Sequence, residues 1–133
     1  MARERLGRVL AGLAALGYVG TAALHSTGYS SVATLALDVP SDLGPLMPAL
    51  WLVFSLDLTV LGLMVAVIAW RPGVMGRILL PLAALSPLGV AGLQLRFIGF
   101  VPPTAILLGV AGLTFTAAAV LPGPGIAPAA QHH

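Results

Sequence analysis

The chain has 133 residues, none of them cysteine, and all six of its Lys/Arg positions are arginine. Without cysteine there is no disulfide framework, no thiolate nucleophile and no thiolate metal site. Charge is scarce as well. Only 8 % of the residues are Asp, Glu, Lys or Arg, against about 25 % in a soluble domain. Such a chain cannot cover a soluble surface with polar groups. A scattered net charge of +2 also excludes the basic face of a nucleic-acid binder. No nucleotide-binding glycine loop, HExxH, GxSxG or pair of carboxylates at helical spacing is present. No segment looks like a selectivity filter. No cofactor and no metal site are expected.

What the chain does have is apolar length. Hydrophobic residues make up 59 % and mean hydropathy is +1.04. Four apolar segments cover about 6–25, 46–70, 77–100 and 103–121. About 20 helical residues cross a 30 Å hydrocarbon layer, and in lipid each backbone group must find its partner within the segment. The segments do not alternate in polarity as barrel strands do. The expected fold is all-α: one integral membrane domain over 1–133, an antiparallel four-helix transmembrane bundle.

Helix breakers fall between the segments. Arg71 to Arg77 ("RPGVMGR") reads as a compact turn. Val101 to Pro103 ("VPP") separates the third and fourth helices, since proline suits a first helical turn. A loop over 26–45 joins the first and second. It is too long for a tight turn, and its "SVATLAL" stretch is apolar enough to lie on the membrane surface or to cap the bundle. The Pro/Gly-rich tail reads as extended. His132 and His133 resemble a tag remnant and are set aside.

Arg3, Arg5 and Arg8 precede the first helix, and Arg71 and Arg77 bracket the second connection. The long first loop holds Asp38 and Asp42 and no arginine. The positive-inside rule then places both termini in the cytoplasm and the 26–45 loop outside a cell membrane. The basic, apolar start with Ala22 and Ala23 also fits a signal peptide; an uncleaved first helix is the expectation.

Few ionisable residues lie within the helices. Asp57 is expected roughly 12–15 Å below the outer surface and Arg96 about 6 Å below it, with His25 at that surface. A charge at membrane depth is costly and generally faces a bundle interior or a cavity. Asp57 therefore pairs with Arg96 or Tyr18, carries a proton, or serves a ligand. Arg96 can instead snorkel to the headgroups. Tyr18, Thr21 and His25 share one helix face at spacings of three and four. Gly89, Gly92 and Arg96 share another, and Gln94, two residues from Arg96, is expected to point away. Gly109, Gly112, Thr114 and Thr116 make a small-residue face suited to packing. Pro81 and Pro87 should kink the third helix. The candidate ligand pocket is Tyr18, Thr21, His25, Trp51, Ser55, Asp57 and Arg96, with Asp57 the candidate catalytic group. Trp51 and Trp70 also suit the two aromatic belts.

His25-Ser26 with Gly28 shortly after, a proline-containing loop, and then Trp51, Ser55 and Gly62 resemble a loose group of uncharacterised small bacterial four-helix membrane proteins. The likeness covers about the first half of the chain and implies fold and location alone. Length and helix count also resemble the small multidrug resistance transporters, but that family uses a glutamate in its first helix. Here the first apolar segment has no acid, and the deep carboxylate is Asp57 in the second. Three readings follow. One is a membrane protein binding a small or lipid-like, apolar ligand or a partner through an outer-half pocket. Another is a small proton-coupled transporter using Asp57. The third is a membrane-embedded isomerase, cyclase or hydrolase of an apolar substrate using Asp57. The bilayer is the constant partner, and a homodimer is permitted by the glycine faces.

Overall fold

A computed structural model describes residues 1–39 and 43–121 of the chain. All regular structure there is helical: α1 (Ala2–Thr27), α2 (Tyr29–Leu37), α3 (Leu46–Trp70), α4 (Val74–Phe97) and α5 (Pro102–Val120). Four helical stretches are long and apolar enough to cross a membrane: Ala2–Leu37, Leu46–Trp70, Met75–Phe97 and Pro102–Val120. This is the pattern of a multi-pass membrane protein.

Helix α4, expected over 77–100, starts and ends three residues earlier, so the turn is 71–73 and Arg77 lies in the first turn of the helix. The helices depart from the expected bounds most at two places in the first half. First, α1 starts at Ala2, so Arg3, Arg5 and Arg8 are helical rather than flanking. Two of these side chains, Arg8 and Arg3, reach the ends of other helices. Arg8 donates from Nε to the carbonyl of Ala69 (3.0 Å) and from Nη2 to that of Trp70 (2.9 Å). Arg3 donates to the carbonyls of Val120 and Ala119, both at 3.1 Å. The last carbonyls of a helix lack intrahelical donors and carry its negative dipole end. The first turns of α1 thus cap the final turns of α3 and α5.

Second, the expected loop contains a helix. A single residue, Gly28, separates α1 from α2, with φ −77° and ψ −6°. A Cβ at Gly28 would lie 2.7 Å from Cζ2 of Trp51. Glycine is needed there because the indole packs against the backbone. α2 leans on α3 and buries none of its residues. Asp42 and the tail after Leu121, with His132 and His133, lie outside the described residues.

In the interior α1 lies between α3 and α5, and α4 lies along α5, whereas α3 and α4 scarcely touch. The core is built from small residues, among them Ala11, Ala14, Ala15, Ala83, Ala117 and Ala118. Hydrocarbon supplies no hydrophobic drive between helices, so close approach through small residues takes its place. The α1–α3 crossing shows how close. A Cβ on Gly62 would stand 2.8 Å from Cγ2 of Val19 and 3.0 Å from Cβ of Tyr18.

Tyr18 is the largest fully buried side chain among the described residues, with 0 % exposure. Its hydroxyl donates to the carbonyl of Ala83 on α4 at 2.9 Å. The reason lies four residues on. Pro87 has no N–H, so Ala83 loses the helical donor that its carbonyl would otherwise use. The phenol supplies the missing donor inside a core where an unpaired carbonyl is expensive.

Candidate functional site

The polar and aromatic groups that remain converge at the end of the molecule where α1 gives way to α2 and α3 begins. His25, in the last turn of α1, stacks on Trp51 of α3, with centroids 3.8 Å apart and planes 16° from parallel. Phe54, nearly one turn on, meets the imidazole edge-on at 4.7 Å. The Trp51 indole N–H donates to the carbonyl of His25 at 2.7 Å, satisfying an end-of-helix acceptor. Nδ1 of His25 is hydrogen-bonded to Oγ of Ser55 at 2.9 Å, the direction depending on the tautomer. This leaves Nε2 of His25 without a partner among the described residues.

Gln94 enters from α4. The Thr104 hydroxyl donates to its Oε1 at 2.7 Å and accepts from the N–H of Val101 at 3.4 Å. That bond fixes the amide, and its NH2 group has no partner among the described residues. Two adjoining cavities open on these groups. The larger, about 450 Å³, is an open groove lined also by Val32 of α2, by Met47 and Leu50 of α3, and by Val90 of α4. The second, about 300 Å³, runs between Thr21 and Leu24 of α1 and Pro103, Ile106 and Leu107 of α5. His25, Trp51, Phe54 and Gln94 line both. Pockets of this size hold small molecules, fixed in orientation by a few polar groups on an apolar wall. The arrangement suits an apolar molecule with one hydrogen-bonding end. No group of three His, Cys, Asp or Glu that could hold a metal occurs among the described residues.

Of the residues expected to form the pocket, the structure brings together His25, Trp51 and Ser55, with Thr21 at the margin. The Thr21 hydroxyl donates to its own helix, to the carbonyl of Gly17 at 2.7 Å. Three others lie elsewhere. Tyr18 is committed to Ala83. Asp57 is exposed on α3 and lines neither cavity. Arg96 is exposed on α4, its guanidinium 5.3 Å from the ring centre of Phe97. The expected Asp57–Arg96 and Asp57–Tyr18 pairs are absent among the described residues, where the ion pair present is Glu4–Arg8 at 3.9 Å.

The physical reason is helix phase. The buried stripe of α3 is Ser55, Leu58, Gly62, Val65 and Ile68, and Asp57 lies off it. Leu80, Ala83, Pro87 and Ala91 are the buried stripe of α4. Its next position, three residues on, is Gln94. Depth alone had favoured Arg96; the inward phase of α4 selects Gln94 and turns Arg96 outward. Phe54, also unanticipated, sits at i+3 from Trp51, and that spacing was there to be read. Comparison with known proteins finds no matching family model, no matching curated protein and no matching solved structure, so the site is read from its own geometry.

Proposed function

We propose that this protein is a small multi-pass membrane protein that binds a small or lipid-like molecule in the cavities around His25, Trp51, Phe54 and Gln94. The reading takes the four long helices as an antiparallel transmembrane bundle. Both termini lie on the cytoplasmic side and the α2 end lies outside. Two observations support that arrangement. The start of α1 meets the ends of α3 and α5 through Arg8 and Arg3, and five of the six arginines then fall on the cytoplasmic side. The observation that carries the binding reading is the conjunction of two apolar cavities with two inward polar groups, His25 Nε2 and the Gln94 amide, that no described residue uses. The transporter reading and the isomerase, cyclase or hydrolase reading both route through Asp57. The cavities give them no support, because Asp57 lines neither.

The test is photolabelling in lipid nanodiscs with a diazirine-bearing fatty acid, mapped by mass spectrometry. Adducts should concentrate on Met47–Phe54 and Val90–Gln94. Replacing Val90 by Trp, which fills the larger cavity beside Gln94, should remove them while leaving labelling of the outer face of α5 unchanged. Uniform labelling of every lipid-facing helix would refute the site.

A further inference from the structure

Asp57 is left unexplained by the ligand site. It lies near the middle of a 25-residue membrane-spanning helix, eleven residues from its start and thirteen from its end. It is exposed and has no hydrogen bond or ion pair among the described residues. Bare hydrocarbon around a carboxylate is costly, and such residues mark an interior or a contact. We infer that a second copy of this chain covers Asp57, with its α4 seated in the groove outside the loose α3–α4 seam and its Arg96 paired to the carboxylate.

The groove comes from the packing. Helices α3 and α4 scarcely touch, so their lipid-side surfaces form a furrow. On α3, Leu50, Phe54, Asp57 and Leu61 fall in one stripe at helical spacing. Leu50 and Phe54 line the cavity together with Val90 and Gln94 of α4, so Asp57 continues the α3 stripe along the furrow. On α4, residues opposite the buried stripe include Gly89 and Arg96, both exposed. A Cβ on Gly89 would meet nothing within 4 Å, so another helix can come close there.

Depth agrees on the antiparallel arrangement proposed above. Trp51 and Phe54 share a cavity with Val90 and Gln94, which puts Asp57 level with about Leu88. Arg96 stands about 12 Å nearer the α2 end at 1.5 Å per residue. Helical side chains lean toward their own N-terminus. Arg96 therefore leans down toward the middle of the membrane and Asp57 leans up, and a long arginine closes most of the gap. Within one copy the two residues diverge, Asp57 toward the furrow and Arg96 straight outward. With a two-fold axis between the two α4 helices, the outward face of each α4 meets the α3 of the other. Each dimer then holds two such ion pairs, and Leu93, on the furrow side of α4, lies close to its symmetry mate.

The chain has no native cysteine, so single-cysteine probes are clean. Oxidised in liposomes, the full-length Leu93→Cys variant should give a covalent dimer, and Leu16→Cys, on the exposed face of α1, should not. Equal cross-linking of both, or of neither, would overturn the proposal. Energy transfer between labelled copies in liposomes tests the charges. Asp57→Asn and Arg96→Gln should each weaken association about tenfold. The double variant should be no more than about twofold worse than either single one, because the two residues share one interaction. Additive losses would overturn the pairing and assign Asp57 to another occupant, such as a foreign helix or a lipophilic cation. So would unchanged association in both single variants.

Discussion

Replacing Tyr18 by Phe removes one oxygen and leaves the packing of the ring in place. The cost is fixed by what the oxygen serves. Ala83 is 2 % exposed and its carbonyl receives the Tyr18 hydroxyl at 2.9 Å, while Pro87 denies it a helical donor. A buried acceptor left unpaired costs about 1–3 kcal/mol. Interhelical bonds within membranes average nearer 0.6 kcal/mol because other partners are usually at hand. Here the fully buried Pro87 removes the nearest alternative, so Tyr18→Phe should cost about 1–2 kcal/mol. The same reasoning makes the cost conditional. Pro87→Ala restores an N–H at position 87 and with it a helical donor to Ala83. In that background Tyr18→Phe should cost less than about 0.5 kcal/mol, a coupling of about 1 kcal/mol between the two positions. Reversible unfolding in mixed micelles, followed by far-ultraviolet circular dichroism, measures all four corners of the cycle. An equal cost of Tyr18→Phe with and without Pro87 would refute the account.

The glycines should divide sharply. Gly62→Ala places a methyl 2.8 Å from Cγ2 of Val19 and should cost about 1–3 kcal/mol by overpacking. Gly112→Ala meets nothing within 4 Å and should stabilise by up to about 1 kcal/mol, both read as midpoints of thermal unfolding. Gly28→Ala would bring a methyl against the indole of Trp51, at 2.7 Å from Cζ2. Its tryptophan emission should shift and its photolabelling between Met47 and Phe54 should fall, with helical content unchanged. Arg8→Gln uncaps the end of α3 and should cost about 0.3–1 kcal/mol, a loss that shows in the same unfolding midpoint.

The membrane class and the four spans were legible because they follow from hydropathy and length. The α1 and α2 bounds were less so. Arginines near Met1 read as flanking charge, yet Arg3 and Arg8 are helical because helix ends elsewhere need their donors. Residues 29–37 read as part of the 26–45 loop because they lie between two apolar spans, but Gly28 keeps helical angles and the chain resumes its helix at once. At the site, His25, Trp51 and Ser55 were legible from their placement at one level of adjacent helices. Asp57, Arg96 and Tyr18 were grouped with them on depth, which says how costly a charge is but not which way it points. Phase supplies the direction, and it needed the full run of α4, from Leu80 to Ala91, to show that Gln94 faces inward. The role of Tyr18 required knowing that Ala83, on a helix it does not adjoin, had lost its donor to Pro87.

The capping of α5 by Arg3 has a temporal consequence. The bonds from Arg3 to Ala119 and Val120 span 116 and 117 positions of the chain. An emerging polypeptide that has made Arg3 cannot offer it those acceptors until α5 has been made. The same holds at shorter range for Arg8, whose acceptors lie 61 and 62 positions on. Contacts of such separation form late and slow the completion of a fold. The first two turns of α1 are thus among the last parts of the bundle to reach their partners, and their closure reports that synthesis and insertion have both run through α5.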